Sequence, residues 1–329
     1  MAALAFESLQ DILRPIEPDL AQVTKRLLAY LRNPIARRAV YMITAGGKRL
    51  RPALVLLAGR SGDYAARRVA LIELGVAVEL IHTATLIHDD IIDGASLRRQ
   101  QPTFHERFGT ERAVLMGDYL YSLAFAILSK LGDPHVNADM AEVCRQLSRG
   151  ELAEVENRYN IETTRAQYLQ IIKDKTASLI AACCSLGASV AGAKPQTARR
   201  LGEFGWKFGL AFQIMDDCLD LIGQERLMGK SLRSDLDKGS LSLPVIYLAK
   251  SLPTRRRQEL FAPLRQGTPT PQFLARVAQE ARQSGAITRA LGEAKRLLQD
   301  AAGAVAIRNG VVGANTYQRL AQYASARVN

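Results

Sequence analysis

The chain has 329 residues, 48% hydrophobic and 23% charged, close to an ordinary folded protein and enough for a substantial core. No run of eighteen apolar residues occurs, so a membrane-spanning helix is not expected. The net charge of +12 raises nucleic acid as a partner, but the basic residues are scattered and Arg255-Arg256-Arg257, the one tight run, lacks interleaved aromatics; no nucleic-acid partner is expected, and a substrate with several phosphates would explain part of the excess.

Residues 1–20 carry acids early and lack a basic stretch leading into an apolar core, so they read as an amphipathic helix and not as an export signal. Cys144, Cys183, Cys184 and Cys218 show neither CxxC nor zinc-like spacing with histidine and read as buried, reduced thiols. Both readings favour a cytoplasmic protein. Ala, Leu and Arg are abundant, and apolar residues recur every three or four positions, predicting helix over most of the chain and little strand. Breaks are predicted near Asn33-Pro34, Gly59 to Gly62, Gly132-Asp133-Pro134, Ala193-Lys194-Pro195, Leu252-Pro253, Gly267 to Pro271 and Ser284-Gly285. None is long enough for an interdomain linker, so residues 1–329 are expected to form one all-α domain.

Charged groups interrupt this pattern at a few places. In Gly46-Gly47-Lys48-Arg49-Leu50-Arg51-Pro52 a glycine pair precedes three cations, and Lys48 and Arg51, at a helix start, suit one diphosphate. A segment apolar on all sides runs from about Arg68 to Asp93 and closes in Asp89-Asp90-Ile91-Ile92-Asp93. His82 lies seven residues before Asp89, on the same helical face. Arg98 and Arg99 follow, pointing to different sides and suiting two diphosphates. Lys175, Thr176 and Gln213 then put polar groups into otherwise apolar helices. A second such segment, from about Thr197 to Asp220, ends in Asp216-Asp217-Cys218-Leu219-Asp220.

Carboxylates this close repel by up to about 4 kcal/mol per pair at an effective dielectric near 20, so each cluster calls for positive charge. The first and last Asp of each cluster project from one helix face, one turn apart, as oxygen ligands of a hard cation would. Gly94 and Gly223 place both clusters in a last helical turn, where the helix dipole also disfavours aspartate. Magnesium fits, since it keeps waters and completes its shell with substrate phosphates. A solvated acidic helix end would account for one such cluster, but less readily for two. If the two helices pack with their clusters level, Asp89, Asp90, Asp93, Asp216, Asp217 and Asp220 face one cavity over a greasy shaft. That shape suits an amphiphile with an anionic head and a hydrocarbon tail, and the Thr176 and Gln213 oxygens could stabilise a developing carbocation.

The stretches GGKRLRP, ELIHTATLIHDDIID, LRRQQPTFH, GDYLYSLAF, KTASLIAA and GLAFQIMDDCLD, with the later GK and SDLDKGSLSLP, resemble the trans-prenyl diphosphate synthases, or polyprenyl synthetase family, from about residue 43 to 248. The resemblance implies an isoprenoid-synthase helical bundle around a central cavity, working as a homodimer. It implies that the aspartate motifs, Asp89, Asp93 and Asp216 foremost, bind two or three magnesium ions that bridge an allylic diphosphate. Arg98, Lys175 and Lys230 would hold that same diphosphate; Gly47, Lys48, Arg51, His82 and Arg99 would hold isopentenyl diphosphate. The expected reaction loses pyrophosphate from the allylic substrate, and the isopentenyl double bond then attacks the resulting cation beside Thr176 and Gln213. Ala84 and Thr85 are small where short-chain enzymes of the family carry a bulky aromatic floor, and IHTATLIHDD is similar to octaprenyl and solanesyl synthases. The expected product therefore has about eight to ten isoprene units, for a quinone side chain, with transient membrane association for its release; a twenty-carbon product is the alternative.

Some residues depart from the family pattern. Gln100 stands where glycine follows two arginines, Glu154 where glutamine is common, Arg233 where glycine is frequent and Ser240 where lysine is frequent, which removes one diphosphate contact. Other readings fit less well. Gly229-Lys230-Ser231 spells the end of a phosphate loop, but Gly223 is one residue too far upstream and the preceding segment reads as helix. A terpene cyclase would not need Lys48, Arg51 and Arg99 for a second diphosphate, and one Trp with 6% aromatic residues is little to line a cation-folding pocket. A regulatory subunit of a heteromeric prenyl synthase often lacks one acidic motif, and both are intact here.

Overall fold

The computed structural model describes residues 8–226, 235–267, 269–305 and 313–326. The three-to-four spacing of apolar residues produces helix throughout: α1 Glu17–Tyr30, α2 Leu50–Gly59, α3 Tyr64–Ile92, α4 Thr110–Ser129, α5 Pro134–Glu156, α6 Arg165–Ile172, α7 Ser178–Val190, α8 Pro195–Arg226, α9 Leu243–Ser251, α10 Pro271–Gln283, α11 Ala286–Ala304 and α12 Ala314–Ala326, with shorter helical turns between them. A π-helical turn, Lys173–Ala177, joins α6 to α7. The only strands among the described residues are a two-residue hairpin, β1 Leu97–Arg98 and β2 Gln101–Pro102. This is the all-α bundle the spacing predicts, and the predicted breaks fall between helices.

Side chains between the helices start them. Asp63 accepts a hydrogen bond from the Ala66 amide ahead of α3, Asp133 one from the His135 amide ahead of α5, and Thr164 with Gln167 forms a reciprocal capping box on α6. Each such cap contributes about 1 kcal/mol.

Three helices occupy the interior. The long α3 packs on α1, α2 and α4; α7 lies between α2 and α8; and α8 carries α11 on its other side. Long and apolar enough to cross a membrane, α3 is nonetheless mostly buried inside the bundle. The contact between α7 and α8 depends on missing side chains: a Cβ on Gly205 would lie 2.6 Å from the Ala181 Cα, and one on Gly209 would lie 2.7 Å from the Ala177 Cα. This close approach sets the register of α8, and thus the height of Asp216, against the rest of the bundle. Fully buried Phe204, Phe208, Leu80 and Leu54 fill the surrounding core, each contributing about 1.5–3 kcal/mol.

One acidic cluster lies as expected and the other does not. α3 stops at Ile92, with Asp93 as its C-cap and Gly94 at φ +56. α8 instead runs past Asp220 and Gly223 to Arg226, so the second cluster sits inside a helix and not in its last turn. A glycine within a helix costs only about 1 kcal/mol, and Leu221, 2% exposed, anchors this part of α8 in the core.

Candidate active site

The C-terminal half of α3, the start of α2, α5, the π turn, α8 and α12 enclose a cavity of about 1090 Å³. It has a cationic end, an acidic end and apolar walls, and each end is built by local backbone chemistry.

At the cationic end the chain ahead of α2 takes left-handed conformations, with φ +97 at Gly46, +136 at Gly47 and +46 at Arg49. This brings the Gly46 carbonyl against the Arg99 guanidinium, which donates to it, and a Cβ on Gly47 would lie 2.9 Å from Arg99 Nη1. The twist turns Arg49 onto Glu79 and the Ile43 carbonyl, where Arg49 and Glu79 still line the cavity. Arg51 and Lys48 remain on the cavity wall. Arg51 Nη1 donates to His82 Nε2 across 3.1 Å, while the buried Arg51 Nε has no protein partner. Burial, reinforced by Arg51, Arg98, Arg99 and Arg49, holds His82 well below its ordinary range, so its ring is neutral and able to accept. Lys48 Nζ donates to the Tyr323 hydroxyl of α12 and lies 5.1 Å from that ring's centroid. An anion entering here would meet Arg51, Arg99 and Lys48 together.

At the acidic end, Asp89 and Asp216 line the cavity from α3 and α8 with Glu151, Lys175, Thr176 and Gln213. Burial lifts the Asp89 carboxyl to about 7; Lys175 pulls against this, while Glu151 and Asp93 add to it. Lys175 is held by Glu151 at 2.7 Å and by Glu154 at 2.5 Å. Burial works against its charge, but Glu154, Asp89 and Glu151 outweigh it, and the net shift is upward. The π turn carrying Lys175 packs directly on α5, where a Cβ on Gly150 would lie 2.6 Å from the Lys175 amide nitrogen. Such turns recur at functional sites because they redirect one side chain without ending the helix. Beside it a relay crosses to α8: Thr176 Oγ1 donates to Gln213 Oε1 at 2.9 Å, and Gln213 Nε2 and the Tyr168 hydroxyl donate to Asp217 at 2.8 and 2.7 Å. Burial raises the Asp217 carboxyl to about 8, and the Asp235 charge adds to the rise.

The expectation that six carboxylates share one cavity is corrected. Consecutive helical residues point about 100° apart, so Asp89 and Asp90 cannot face the same space, and neither can Asp216 and Asp217. Asp90, 1% exposed, is gripped by Arg98, whose Nε lies 2.9 and 3.0 Å from the two carboxylate oxygens. Asp217 turns to Tyr168 and Gln213, Asp220 is exposed, and Asp93 is held by Arg158 and Lys238. Among the described residues no three metal-capable side chains converge on one point, so an ion at Asp89 and Asp216 would draw further oxygens from water or ligand. The carboxylates of Asp89 and Asp216 on the cavity wall are hard oxygen donors, which suits a hard divalent cation.

Other expected positions separate. Thr85 lines the cavity, but Ala84 is fully buried and does not. Tyr121 of α4, not singled out from sequence, lines the wall next to His88, their rings 6.2 Å apart. Lys230 and Arg233 lie outside the described residues. Gln100, at φ +64, occupies the second turn position of the Arg99-Gln100 hairpin, a conformation that favours the glycine it replaces. Arg158, Lys238 and Tyr323 were also not foreseen as site residues, although Lys238 lies within the SDLDKGSLSLP stretch.

The family model described as "Polyprenyl synthetase" matches residues 32–280. A heptaprenyl diphosphate synthase component 2 of Geobacillus stearothermophilus is 40% identical over 242 residues, 74% of each chain. A geranylgeranyl diphosphate synthase of Methanosarcina mazei is 39% identical over 211 residues, 63% of this chain and 64% of its own. Octaprenyl diphosphate synthases stand among the relatives as well. The crystal structure of a decaprenyl diphosphate synthase from Rhodobacter capsulatus superposes with a TM-score of 0.88 at 28% identity, covering 97% of this chain and 98% of that one. With a helical bundle around a two-ended charged cavity, a family match over residues 32–280 and relatives of this similarity, the chain belongs to the polyprenyl synthetase family.

Proposed function

We propose that the protein condenses isopentenyl diphosphate head-to-tail onto an allylic diphosphate and repeats the step to make a long all-trans polyprenyl diphosphate. The observation that carries this reading is a single cavity with a cationic end, an acidic end and apolar walls. Two diphosphates fit such a cavity by different means. Lys48, Arg51 and Arg99 would neutralise the isopentenyl diphosphate directly, with neutral His82 orienting Arg51. Asp89 and Asp216, with Asp93 one turn above Asp89, would hold magnesium, whose charge would favour binding of the allylic diphosphate and loss of its pyrophosphate. Lys175, kept charged by Glu151 and Glu154, adds a fixed cation to that diphosphate. Thr176 and Gln213 hold each other in place, so their dipoles need no reorganisation as positive charge develops on the allylic carbon.

Small Thr85 on the cavity wall supports a product of about eight to ten isoprene units, suited to a quinone side chain. Val114 and Leu115 on α4 and Leu152 and Val155 on α5 stand 43%, 66%, 63% and 39% exposed, which supports a homodimer packed through these helices. The name of the Geobacillus relative, component 2, favours a second reading in which an unlike partner chain takes that place. We place the enzyme in the cytoplasm, touching membrane only to release its product.

Purified chain with magnesium, isopentenyl diphosphate and farnesyl diphosphate tests the reading, with the dephosphorylated products separated by chromatography. Condensation to products of eight to ten units is expected. No condensation with or without an added partner refutes the synthase, products that stop at twenty carbons refute the long chain, and activity only with an added partner establishes the heteromer. A cyclic hydrocarbon from the allylic substrate alone would indicate a cyclase.

A further inference from the structure

Asp93 is held by two cations from distant parts of the chain. Its Oδ1 lies 2.7 Å from Arg158 Nη2 and its Oδ2 lies 2.8 Å from Lys238 Nζ, with all three side chains about one-fifth exposed. Arg158 follows the end of α5 and Lys238 lies in the turn before α9, so three segments converge at the rim of the cavity, one helical turn above Asp89. Both cations are turned to Asp93, and Lys238 also lies within electrostatic reach of the buried Asp235 carboxyl. Arg158 keeps further donor capacity, since its buried Nε has no partner.

The backbone holds these two cations in place independently of Asp93. The Tyr159 amide donates to the Gly239 carbonyl at 2.8 Å. Gly239, at φ +86, lies against the Tyr159 ring so closely that a Cβ would be 2.7 Å from it. This junction fixes residues 158–159 to residues 238–239, so Asp93 can change partner without releasing either cation. A side cavity of about 120 Å³ shares Lys175, Thr176 and Gln213 with the main one and reaches Asp235 and Ser240 of the same turn. The turn that carries Lys238 therefore borders the acidic end of the site through Asp235 and Ser240, with Lys238 two residues before Ser240.

We propose that Arg158 and Lys238 are diphosphate-binding residues stored on Asp93, which become available to the allylic diphosphate when Asp93 turns to the divalent cation; this rests on the synthase reading above. The cations would then tighten substrate binding only once the metal is in place, ordering the two events.

Binding of inorganic pyrophosphate in the presence of a chelator tests this without metal or turnover. Asp93→Asn keeps the shape of the side chain but releases both cations, so calorimetry should show pyrophosphate binding about tenfold more tightly than wild type, a gain lost in D93N/K238A. Equal affinity for wild type and D93N, or a gain that survives K238A, overturns the proposal. In turnover, Lys238→Ala and Arg158→Ala should each raise KM for the allylic diphosphate about tenfold and leave KM for isopentenyl diphosphate unchanged. A matched rise in both, or none, would mean that the pair only braces the fold. Wild-type protein unable to condense its substrates would sink the synthase reading, whereas a condensing enzyme in which D93N gains nothing sinks this inference alone.

Discussion

Asp89→Asn should make the metal-free protein more stable and the enzyme inactive. Burial raises the Asp89 carboxyl from an ordinary 3.8 to about 7, so between those limits the folded state binds a proton that the unfolded chain has released. Stability contributed at this site therefore falls as pH rises through that window and is flat above it. The window spans roughly three pH units, or about 4 kcal/mol at 1.36 kcal/mol per unit if Asp89 carried it alone. Because Glu151, Asp93 and Lys175 share the local field, about 2 kcal/mol is the expected advantage of Asn over Asp at pH 8. At pH 5.5 that advantage should be about half as large. Urea unfolding of both proteins in chelator at the two pH values measures it. Condensation activity should fall by about three orders of magnitude in the same variant, and magnesium with pyrophosphate should stabilise wild type far more than D89N. Equal stability at both pH values, or a less stable D89N at pH 8, would refute the view that this carboxylate is held at a cost until a cation arrives.

Gln100→Gly should stabilise the chain by about 1 kcal/mol in thermal or urea unfolding, because the residue stands at φ +64 in a two-residue hairpin turn. Gly47→Ala should raise KM for isopentenyl diphosphate by about tenfold or more, since φ +136 strains any other residue and displaces the neighbouring Arg99 guanidinium. Tyr121→Ala should lengthen the product distribution seen by chromatography, and Thr85→Phe should shorten it, because both side chains line the cavity. Ala84→Phe, by contrast, should destabilise the protein by about 1–3 kcal/mol without a defined shortening, because Ala84 is packed in the core and does not line the cavity.

Helical character and break positions were legible in the sequence because each is local. Spacing along one helix relates His82 to Asp89 directly, and both line the cavity. The rotation of a helix against its neighbours is set by packing. That is why Asp90 and Asp217, read as cavity ligands, are turned to Arg98 and to Tyr168 with Gln213, and why Thr85 reaches the cavity while adjacent Ala84 does not. Gly223 shows a different failure, in which a strong local stop signal yields to the burial of Leu221. Arg158 and Lys238 were invisible because their meaning depends on contacts 65 and 145 residues away in the chain.

The bond between Lys48 and Tyr323 joins residues 275 positions apart, and Leu320, Tyr323 and Ala324 of α12 form part of the cavity wall. A ribosome making this chain places the cationic loop that carries Lys48 early and the wall opposite it late. Contacts of such long sequence separation form slowly, so the pocket is among the last parts of the fold to close. Until α12 docks, a nascent chain carries the charged loops but not the enclosed cavity between them.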